Sequence, residues 1–189
     1  ELGMTNYPFR SMQDFRDIES VNAYREWCES GHVSHEAFWP CLTAKSRDNA
    51  RTPMQWDDTE NAGFSKGTPW IGVNPNYKEI NARTETEDKN SVFHYYKKLI
   101  ALRKAYPVVV YGKYETMMED SEELFVYTRS LADEKLLVVC SFCDHDTDFL
   151  LPAEFAGASC LICNVENRYD KVRMTIKPYE AFVLRRKIS

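Results

Sequence analysis

Residues 90–112 read NSVFHYYKKLIALRKAYPVVVYG, and the periodicity of the chain changes within this stretch. Apolar residues first recur at helical spacing, which predicts a helix that opens at Asn90 or Ser91. Pro107 should end this helix, because proline lacks an amide hydrogen and clashes with the preceding turn. The predicted buried face carries Val92, Tyr96, Leu99, Ile100 and Arg103. The change of pattern places a domain boundary near Tyr106.

The residues that follow form short strand-like runs separated by polar turns. In KVRMTIK, at 171–177, Val172, Met174 and Ile176 alternate with polar or charged side chains. The full set of runs is VVVY, KYETMME, ELFVYTR, KLLVVCSF, TDFLL, SCLICN, KVRMTIK and EAFVLRR. Regular short strands of this kind are typical of an antiparallel sandwich. Residues 107–189 are therefore predicted to form an antiparallel β-sandwich.

The first half of the chain, residues 1–106, has helical and loop-like patterns. A capping box at Ser11 should open an amphipathic helix that Gly31 ends. Ser34 is a candidate cap for a second helix, which Pro40 should kink or divide. Helices followed by strands make the predicted fold class α+β.

A long segment between these helices lacks periodicity and is rich in proline and glycine. It spans residues 47–81 and contains Trp56 and Trp70, so it does not resemble a disordered linker. A connection of this length without regular pattern is uncommon in a compact domain and is often functional. We expect the two tryptophans to anchor the core of the loop.

Composition excludes several classes of partner. The chain has 189 residues, of which 43% are hydrophobic and 28% charged, and its net charge is −5. The negative charge favours neither nucleic acid nor an anionic membrane, and no apolar run approaches the roughly 20 residues of a membrane span. The chain begins at Glu1 and not at methionine, so we expect a fragment. Six cysteines fall below the density of a disulfide scaffold and favour a cytoplasmic location.

Two cysteine pairs have the spacing of a structural zinc site. Cys140 and Cys143 form one pair, and Cys160 and Cys163 form the other. Both pairs lie in strand-like runs, where residues three apart face opposite sides, so each pair should splay. We therefore expect no metal and no other cofactor.

Two polar segments are interpreted as turns. Asp144, His145 and Asp146 are adjacent in sequence and cannot form a catalytic triad by local spacing. The run EDSEE at 119–123 is interpreted as a solvated hairpin turn. The sequence also lacks a phosphate-cradling glycine loop, a G-x-S-x-G elbow and an H-E-x-x-H motif.

The polar middle of the chain carries the stretch that points to a family. KSRDNARTPMQWDD, at 45–58, combines two arginines with proline, glutamine, tryptophan and carboxylates. It resembles a hallmark of oligo-1,6-glucosidases and related α-glucosidases of the α-amylase superfamily. Further stretches resemble this family in the same order: ELGMTNYPF, FRDIES, NAGFSKGTPWIGVNPNYKEIN and NSVFHYYKKLIALRKAYPVVVYG. The resemblance extends to about residue 112 and is looser across the strand-rich remainder.

The resemblance implies a particular architecture. Family members have a catalytic (β/α)8 TIM barrel followed by a small antiparallel β-sandwich. Residues 1–106 would be the incomplete C-terminal end of the barrel, comprising the exit of the last strand, a long loop and the closing helix. Residues 107–189 would be the sandwich.

The resemblance also implies an activity and two site residues. Family members are retaining glycosidases whose catalytic carboxylates lie before this part of the chain, so the chain alone should be inactive. Arg47 matches an arginine that pairs with a pocket aspartate in the terminal-sugar subsite, and its planar fork suits that role. Glu19 matches a glutamate near the next subsite. The alternative for Arg47 is a salt bridge that only stabilises the loop. For Arg51, a role in the sugar site and a role in ordering the loop both stay open.

The sequence leaves alternatives open for both the substrate and the class of protein. The resemblance favours hydrolysis of α-1,6 bonds at the non-reducing end of oligosaccharides, but α-1,4, trehalose-phosphate and sucrose-isomerising relatives share the motif. A stand-alone carbohydrate-binding or structural β-sandwich module is the alternative from another class. The helix at 90–105 distinguishes these, because in a barrel remnant its apolar face would be exposed and open to self-association.

Overall fold

The computed structural model describes residues 2–165, 169 and 172–187. Glu1 and Lys171, which belong to quoted motifs, lie outside the described residues. Within that part of the chain, no helix combines the length and apolar character needed to cross a bilayer.

The chain divides into two compact units, Glu1–His94 and Tyr95–Ser189. This division falls inside the helix that precedes Tyr106. The assignment of 1–106 to the end of a barrel and of 107–189 to a sandwich stays a prediction.

The first unit is built from short helices joined by ordered loops. Helix α1 (Ile18–Tyr24) continues as one π-helical turn, Arg25–Glu29, and α2 (His35–Lys45) and α3 (Ala82–Glu87) follow. Single 3-10 turns lie at Met12–Asp14, Arg47–Arg51, Glu60–Gly63 and Pro75–Lys78. The capping box expected at Ser11 flanks the first of these 3-10 turns, and the α-helix begins later than predicted.

Helix α2 begins where the sequence predicts but is not interrupted. Ser34 Oγ accepts a hydrogen bond from the amide of Ala37 at 3.3 Å, which confirms the predicted cap. Of the two outcomes expected at Pro40, the division does not occur, since α2 runs through it as one helix, and the kink stays a prediction. Thr43 Oγ1 donates to the Pro40 carbonyl at 3.1 Å, and buried Leu42 packs into a small aromatic core. This packing keeps the helix continuous despite one missing amide.

Helix α4 (Val92–Ala105) confirms the predicted helix, but its predicted buried face is wrong. Val92, Tyr96, Leu99 and Ile100 are each between 39% and 51% exposed, and Arg103 is exposed as well. No residue of α4 is buried in the described structure. The helix therefore presents an apolar stripe that the described residues leave uncovered.

The run VVVY forms the short helix α5 (Pro107–Tyr111) and not the predicted strand. Pro107 occupies the first turn of α5, where proline costs no hydrogen bond. Arg129 donates to the carbonyls of Val108 at 3.2 Å, Val110 at 3.3 Å and Gly112 at 2.8 Å. A cation on the terminal carbonyls stabilises a helix end, and this contact outweighs the strand propensity of three valines.

The second unit contains two antiparallel sheets. The strands are β1 (Lys113–Met117), β2 (Leu124–Leu131), β3 (Glu134–Ser141), β4 (Thr147–Leu150), β5 (Ser159–Cys163), β6 (Arg173–Ile176) and β7 (Ala181–Lys187). One sheet has the order β1-β2-β3-β7-β5 and the other pairs β4 with β6. Both sheets contribute to one core, whose members include Val126, Val139, Phe149, Ile176, Phe182 and Leu184. Helices followed by packed antiparallel sheets confirm the predicted fold class.

A β-bulge changes the outcome for one cysteine pair. Cys160 pairs with Leu184 and Cys163 pairs with Phe182, and the register shifts between them. Because Leu184 and Phe182 share the core face, the bulge brings both thiols to one face, so the prediction that this pair splays is wrong. Burial and the neighbouring Cys163 thiol raise the pKa of Cys160 to about 11.

Candidate functional site

The candidate site forms where the start of α1 meets the motif at 45–58. The 3-10 turn Arg47–Arg51 begins after Ser46, whose Oγ accepts from the amide of Asp48 at 3.3 Å. Ser20 of α1 donates its hydroxyl to Ser46 Oγ at 3.0 Å. Two stretches quoted for the family resemblance, FRDIES and KSRDNARTPMQWDD, therefore lie in contact.

Two buried carboxylates hold these stretches together. Asp48 is fully buried, and its Oδ2 accepts hydrogen bonds from the amides of Arg16 at 2.6 Å and Asp17 at 2.9 Å. Asp17 is also buried, and its Oδ2 accepts from Ser20 Oγ at 2.9 Å and from the amide of Arg47 at 3.4 Å. Each segment thus provides a carboxylate that caps the backbone of the other.

Arg51 supplies the counter-charge for both carboxylates. Its Nη1 lies 3.9 Å from Asp17 Oδ1 and 3.8 Å from Asp48 Oδ1. In the described structure Asp48 Oδ1 accepts no hydrogen bond, so this nearby cation is its main compensation. Of the two arginines in the motif, Arg51 is the one that orders the loop.

The pKa of Asp17 reflects this environment. Burial alone raises the pKa of a carboxyl, because it penalises the charged form. The Ser20 hydroxyl and the amides of Arg47, Glu19 and Ser20 stabilise the carboxylate and outweigh the burial, so the pKa of Asp17 lies below its ordinary value. Asp17 is therefore ionised and structural at neutral pH.

Arg47 is held by its backbone and presents its side chain to solvent. Its amide is bound to Asp17, whereas its guanidinium Nη1 lies 3.8 Å from Glu19 Oε2. The Arg47 and Glu19 side chains are 66% and 76% exposed. Exposed pairs of this kind contribute about 0–1 kcal/mol to stability. Since both side chains are largely exposed, the guanidinium of Arg47 is accessible to another carboxylate.

A shallow cavity lies beside this pair. Its volume is about 170 Å³, and Glu19 and Arg47 both line it. The other lining residues are Asp17, Ser20, Ala23, Phe38, Cys41, Leu42, Lys45 and Ser46. Complete ligand sites span roughly 300–1,000 Å³. The cavity is therefore smaller than a complete ligand site.

In the middle of the motif, the glutamine side chain is buried and the tryptophan side chain is exposed. Gln55 is fully buried and its Nε2 donates to Asn76 Oδ1 at 3.1 Å. Trp56 and Trp70 are each more than half exposed. The expectation that these tryptophans anchor the core of the loop is therefore wrong.

The acidic end of the motif closes the loop. Asp57 Oδ2 and Asp58 Oδ1 each lie 2.9 Å from the guanidinium of Arg83. The amides of Trp56 and Asp57 donate to the carbonyl of Ala62 at 2.9 Å and 3.2 Å. These contacts hold the loop in place at the other end of the motif from Arg47.

The structure brings the two predicted site residues together and shows two buried carboxylates whose role sequence reasoning missed. Arg47 and Glu19 both line the cavity, and their part in sugar binding stays a prediction. Asp48 was considered only as a carboxylate that matches no catalytic motif, and Asp17 was not singled out, although each follows an arginine in its motif, as Arg-Asp in FRDIES and in KSRDNAR. The Arg-Asp pair that occurs in both stretches is the sequence feature that could have pointed to these two buried carboxylates.

Comparison with known proteins gives the family. A model of the α-amylase catalytic domain matches residues 1–112. An oligo-1,6-glucosidase of Parageobacillus thermoglucosidasius is 48% identical over 187 residues, which cover 97% of this chain and 33% of that protein. A trehalose-6-phosphate hydrolase of Bacillus subtilis strain 168 is 46% identical over 189 residues, which cover 98% of this chain and 34% of that protein. The chain thus spans about a third of the length of these curated relatives.

Solved structures agree with this assignment. The isomaltulose synthase of Klebsiella sp. LX3 superimposes with a TM-score of 0.90 at 40% identity, covering 97% of this chain and 34% of that one. Since the superposition covers 97% of this chain, it includes both the helical unit and the antiparallel sheets. The chain belongs to the α-amylase family.

Proposed function

We propose that this chain is the C-terminal part of a retaining α-glucosidase that hydrolyses α-1,6-glucosidic bonds at the non-reducing end of oligosaccharides. The observation that carries the proposal is similarity along almost the whole chain to oligo-1,6-glucosidases at up to 48% identity. The exposed Arg47 fork on a partial cavity supports the same function.

Catalysis in this proposal depends on carboxylates outside the chain. A retaining glycosidase needs a nucleophile and an acid about 5–5.5 Å apart across the bond. Asp17 and Asp48 are buried and accept backbone hydrogen bonds, so neither can reach a sugar. Asp57 is bound to Arg83 and Thr59. The chain therefore contributes binding residues and not the reacting pair.

Arg47 is proposed as a substrate-pocket residue. Its guanidinium would hold a carboxylate of the barrel by two parallel hydrogen bonds. A carboxylate fixed in this way accepts hydrogen bonds from the hydroxyls of the terminal glucose. This closes the pocket behind one sugar and favours cleavage from a chain end. Glu19, beside Arg47, is proposed to lie near the next sugar.

The proposal is tested by expressing the complete enzyme encoded by the gene and, separately, the 189-residue chain. The enzyme should release glucose from isomaltose faster than from maltose or trehalose 6-phosphate, and should not isomerise sucrose. The isolated chain should be inactive on a chromogenic α-glucoside. Turnover by the isolated chain would refute the fragment proposal, and preference for trehalose 6-phosphate would refute the proposed substrate.

Further parts of the proposal concern partners and location. We propose that the oligosaccharide is the substrate of the full-length protein and that the chain self-associates through the exposed stripe of α4. We propose no nucleic acid and no membrane as partners. The uncovered stripe supports a barrel remnant over a stand-alone module, in which that face would be covered. The six free thiols support a cytoplasmic location, which subcellular fractionation of the source organism tests.

A further inference from the structure

Two turns interpreted as solvated from the sequence meet in the second unit. Glu123 immediately precedes β2, and Cys143 and His145 follow β3. Because β2 and β3 are antiparallel, with Leu124 opposite Ser141, these strand ends coincide. One ligand atom from each of Glu123, Cys143 and His145 lies within 4.8 Å of the other two.

We infer that Glu123, Cys143 and His145 form a binding site for a divalent transition metal, best matched by Zn²⁺. This departs from the expectation that the chain holds no metal. The site is also distinct from the four-cysteine site considered from the spacing, because it uses one cysteine together with an imidazole and a carboxylate.

The backbone of this cluster is fixed before any ion binds. The amide of Phe142 donates to the carbonyl of Glu123 at 3.1 Å, and the amide of Tyr179 donates to the carbonyl of Cys143 at 3.1 Å. The amide of Cys143 donates to Ser141 Oγ at 3.3 Å. A site whose supporting bonds already exist loses little entropy when it captures an ion.

His145 is oriented as metal-binding histidines usually are. Its Nε2 lies 2.9 Å from Glu123 Oε1, and its Nδ1 lies 3.2 Å from Asp144 Oδ1. A carboxylate that accepts the Nδ1 proton orients the ring so that Nε2 points towards a metal, and this arrangement recurs at metal sites. Zinc would take the place of the Nε2 proton that Glu123 accepts in the structure. Cys143 Sγ lies 3.6 Å from the Glu123 carbonyl, so the thiol is also turned towards this residue.

The donor set determines the metal. Thiolate and imidazole together suit zinc, which takes sulfur, nitrogen and carboxylate oxygen ligands in a tetrahedron. Zinc–ligand distances of about 2.0–2.3 Å require ligand atoms roughly 3.3–3.8 Å apart. Glu123 and His145 are exposed, so their side chains can adjust. Their contact of 2.9 Å must open slightly, and any pair near the upper limit of 4.8 Å must close by about 1 Å. Binding displaces the thiol proton of Cys143 and the proton that His145 Nε2 donates to Glu123, both of which pass to solvent, and water completes the fourth position.

Zinc binding to the purified, tag-free 189-residue chain tests the inference. Equilibrium dialysis should retain about one zinc per chain, and cobalt should give a thiolate charge-transfer band. Cys143→Ser should abolish that band, and His145→Gln should weaken zinc binding at least about tenfold. Asp144→Asn acts through His145 and should weaken binding about tenfold without moving the thermal midpoint of the zinc-free protein.

Matched variants separate this site from other thiols and imidazoles. Cys160→Ser and His32→Gln should leave zinc affinity and the cobalt band unchanged. A cobalt band that survives Cys143→Ser, loss of zinc in Cys160→Ser, or no retained zinc in the unsubstituted chain would each overturn the inference. None of these three results depends on glucosidase activity, so the test is independent of the proposed function.

Discussion

Two arginines four residues apart have different surroundings, from which we infer different roles. Arg51 faces two buried carboxylates, whereas Arg47 faces solvent beside one exposed carboxylate. The sequence places both in one motif and does not separate them. The difference arises from burial of Asp17 and Asp48, which depends on contact between segments distant in the chain.

Arg51→Ala should destabilise the chain by about 1–3 kcal/mol, because it leaves buried carboxylates without their cation. Half-exposure of Arg51 keeps the expected loss below that of a fully buried pair. Urea unfolding of the 189-residue chain measures this loss. Arg47→Ala is the matched control and should change the free energy of unfolding by less than about 0.5 kcal/mol. Equal losses in the two variants would contradict the assigned roles.

Asp17→Asn should make stability less dependent on acid pH. The folded pKa of Asp17 lies below its ordinary value, so its ionised form stabilises the fold above about pH 4. That contribution is lost as pH falls through the folded pKa. The stability difference between the unsubstituted chain and the variant, measured by urea unfolding, should therefore shrink between pH 7 and pH 3. A constant difference across this range would show that Asp17 does not act through its charge.

At the scale of elements, periodicity predicted α4 and the strands from β1 to β7 well. It failed at α5, where Arg129 from β2 binds the carbonyls of the VVVY segment. It also allowed a division of α2 at Pro40 that does not occur, because Leu42 packs into the core. In both cases a tertiary contact overrides a local preference, and such a contact is not visible in the local sequence.

Pro40→Ala should stabilise the chain, because it restores an amide to the interior of α2 and removes a clash. The expected gain is about 1–3 kcal/mol, since proline costs up to about 3 kcal/mol within a helix. Pro40 is exposed, so little packing is lost. Pro107→Ala is the control, because proline in the first turn of α5 carries no such cost. Unchanged or reduced stability of Pro40→Ala in urea unfolding would contradict this reasoning.

At the scale of the whole molecule, the exposed stripe of α4 is the main departure from a self-contained domain. Periodicity alone predicted this stripe as apolar and buried, whereas the hypothesis of a barrel remnant predicted it as exposed, which is what the structure shows. Burial depends on what covers a face, and the periodicity of a helix does not contain that information. The same limit applies to Arg47, whose proposed carboxylate partner lies outside the chain.

The 189-residue chain should self-associate through this stripe. Light scattering should show a mass that rises with concentration, and the double substitution Leu99→Gln with Ile100→Gln should reduce this rise. The control is Leu150→Gln with Val172→Gln, which changes two exposed apolar residues outside α4. A monomer at every concentration, or equal effects of both pairs, would favour a stand-alone module.

The most direct test of the account is the kinetic effect of Arg47→Ala in the complete enzyme. We predict that kcat/KM on a chromogenic α-glucoside falls about 100-fold, as expected when a positioning contact of the sugar pocket is lost, while the unfolding midpoint stays unchanged. Arg10→Ala, at an exposed arginine that does not line the cavity, should retain full activity. Activity of Arg47→Ala within about twofold of the unsubstituted enzyme would contradict the assignment of Arg47 to the substrate pocket.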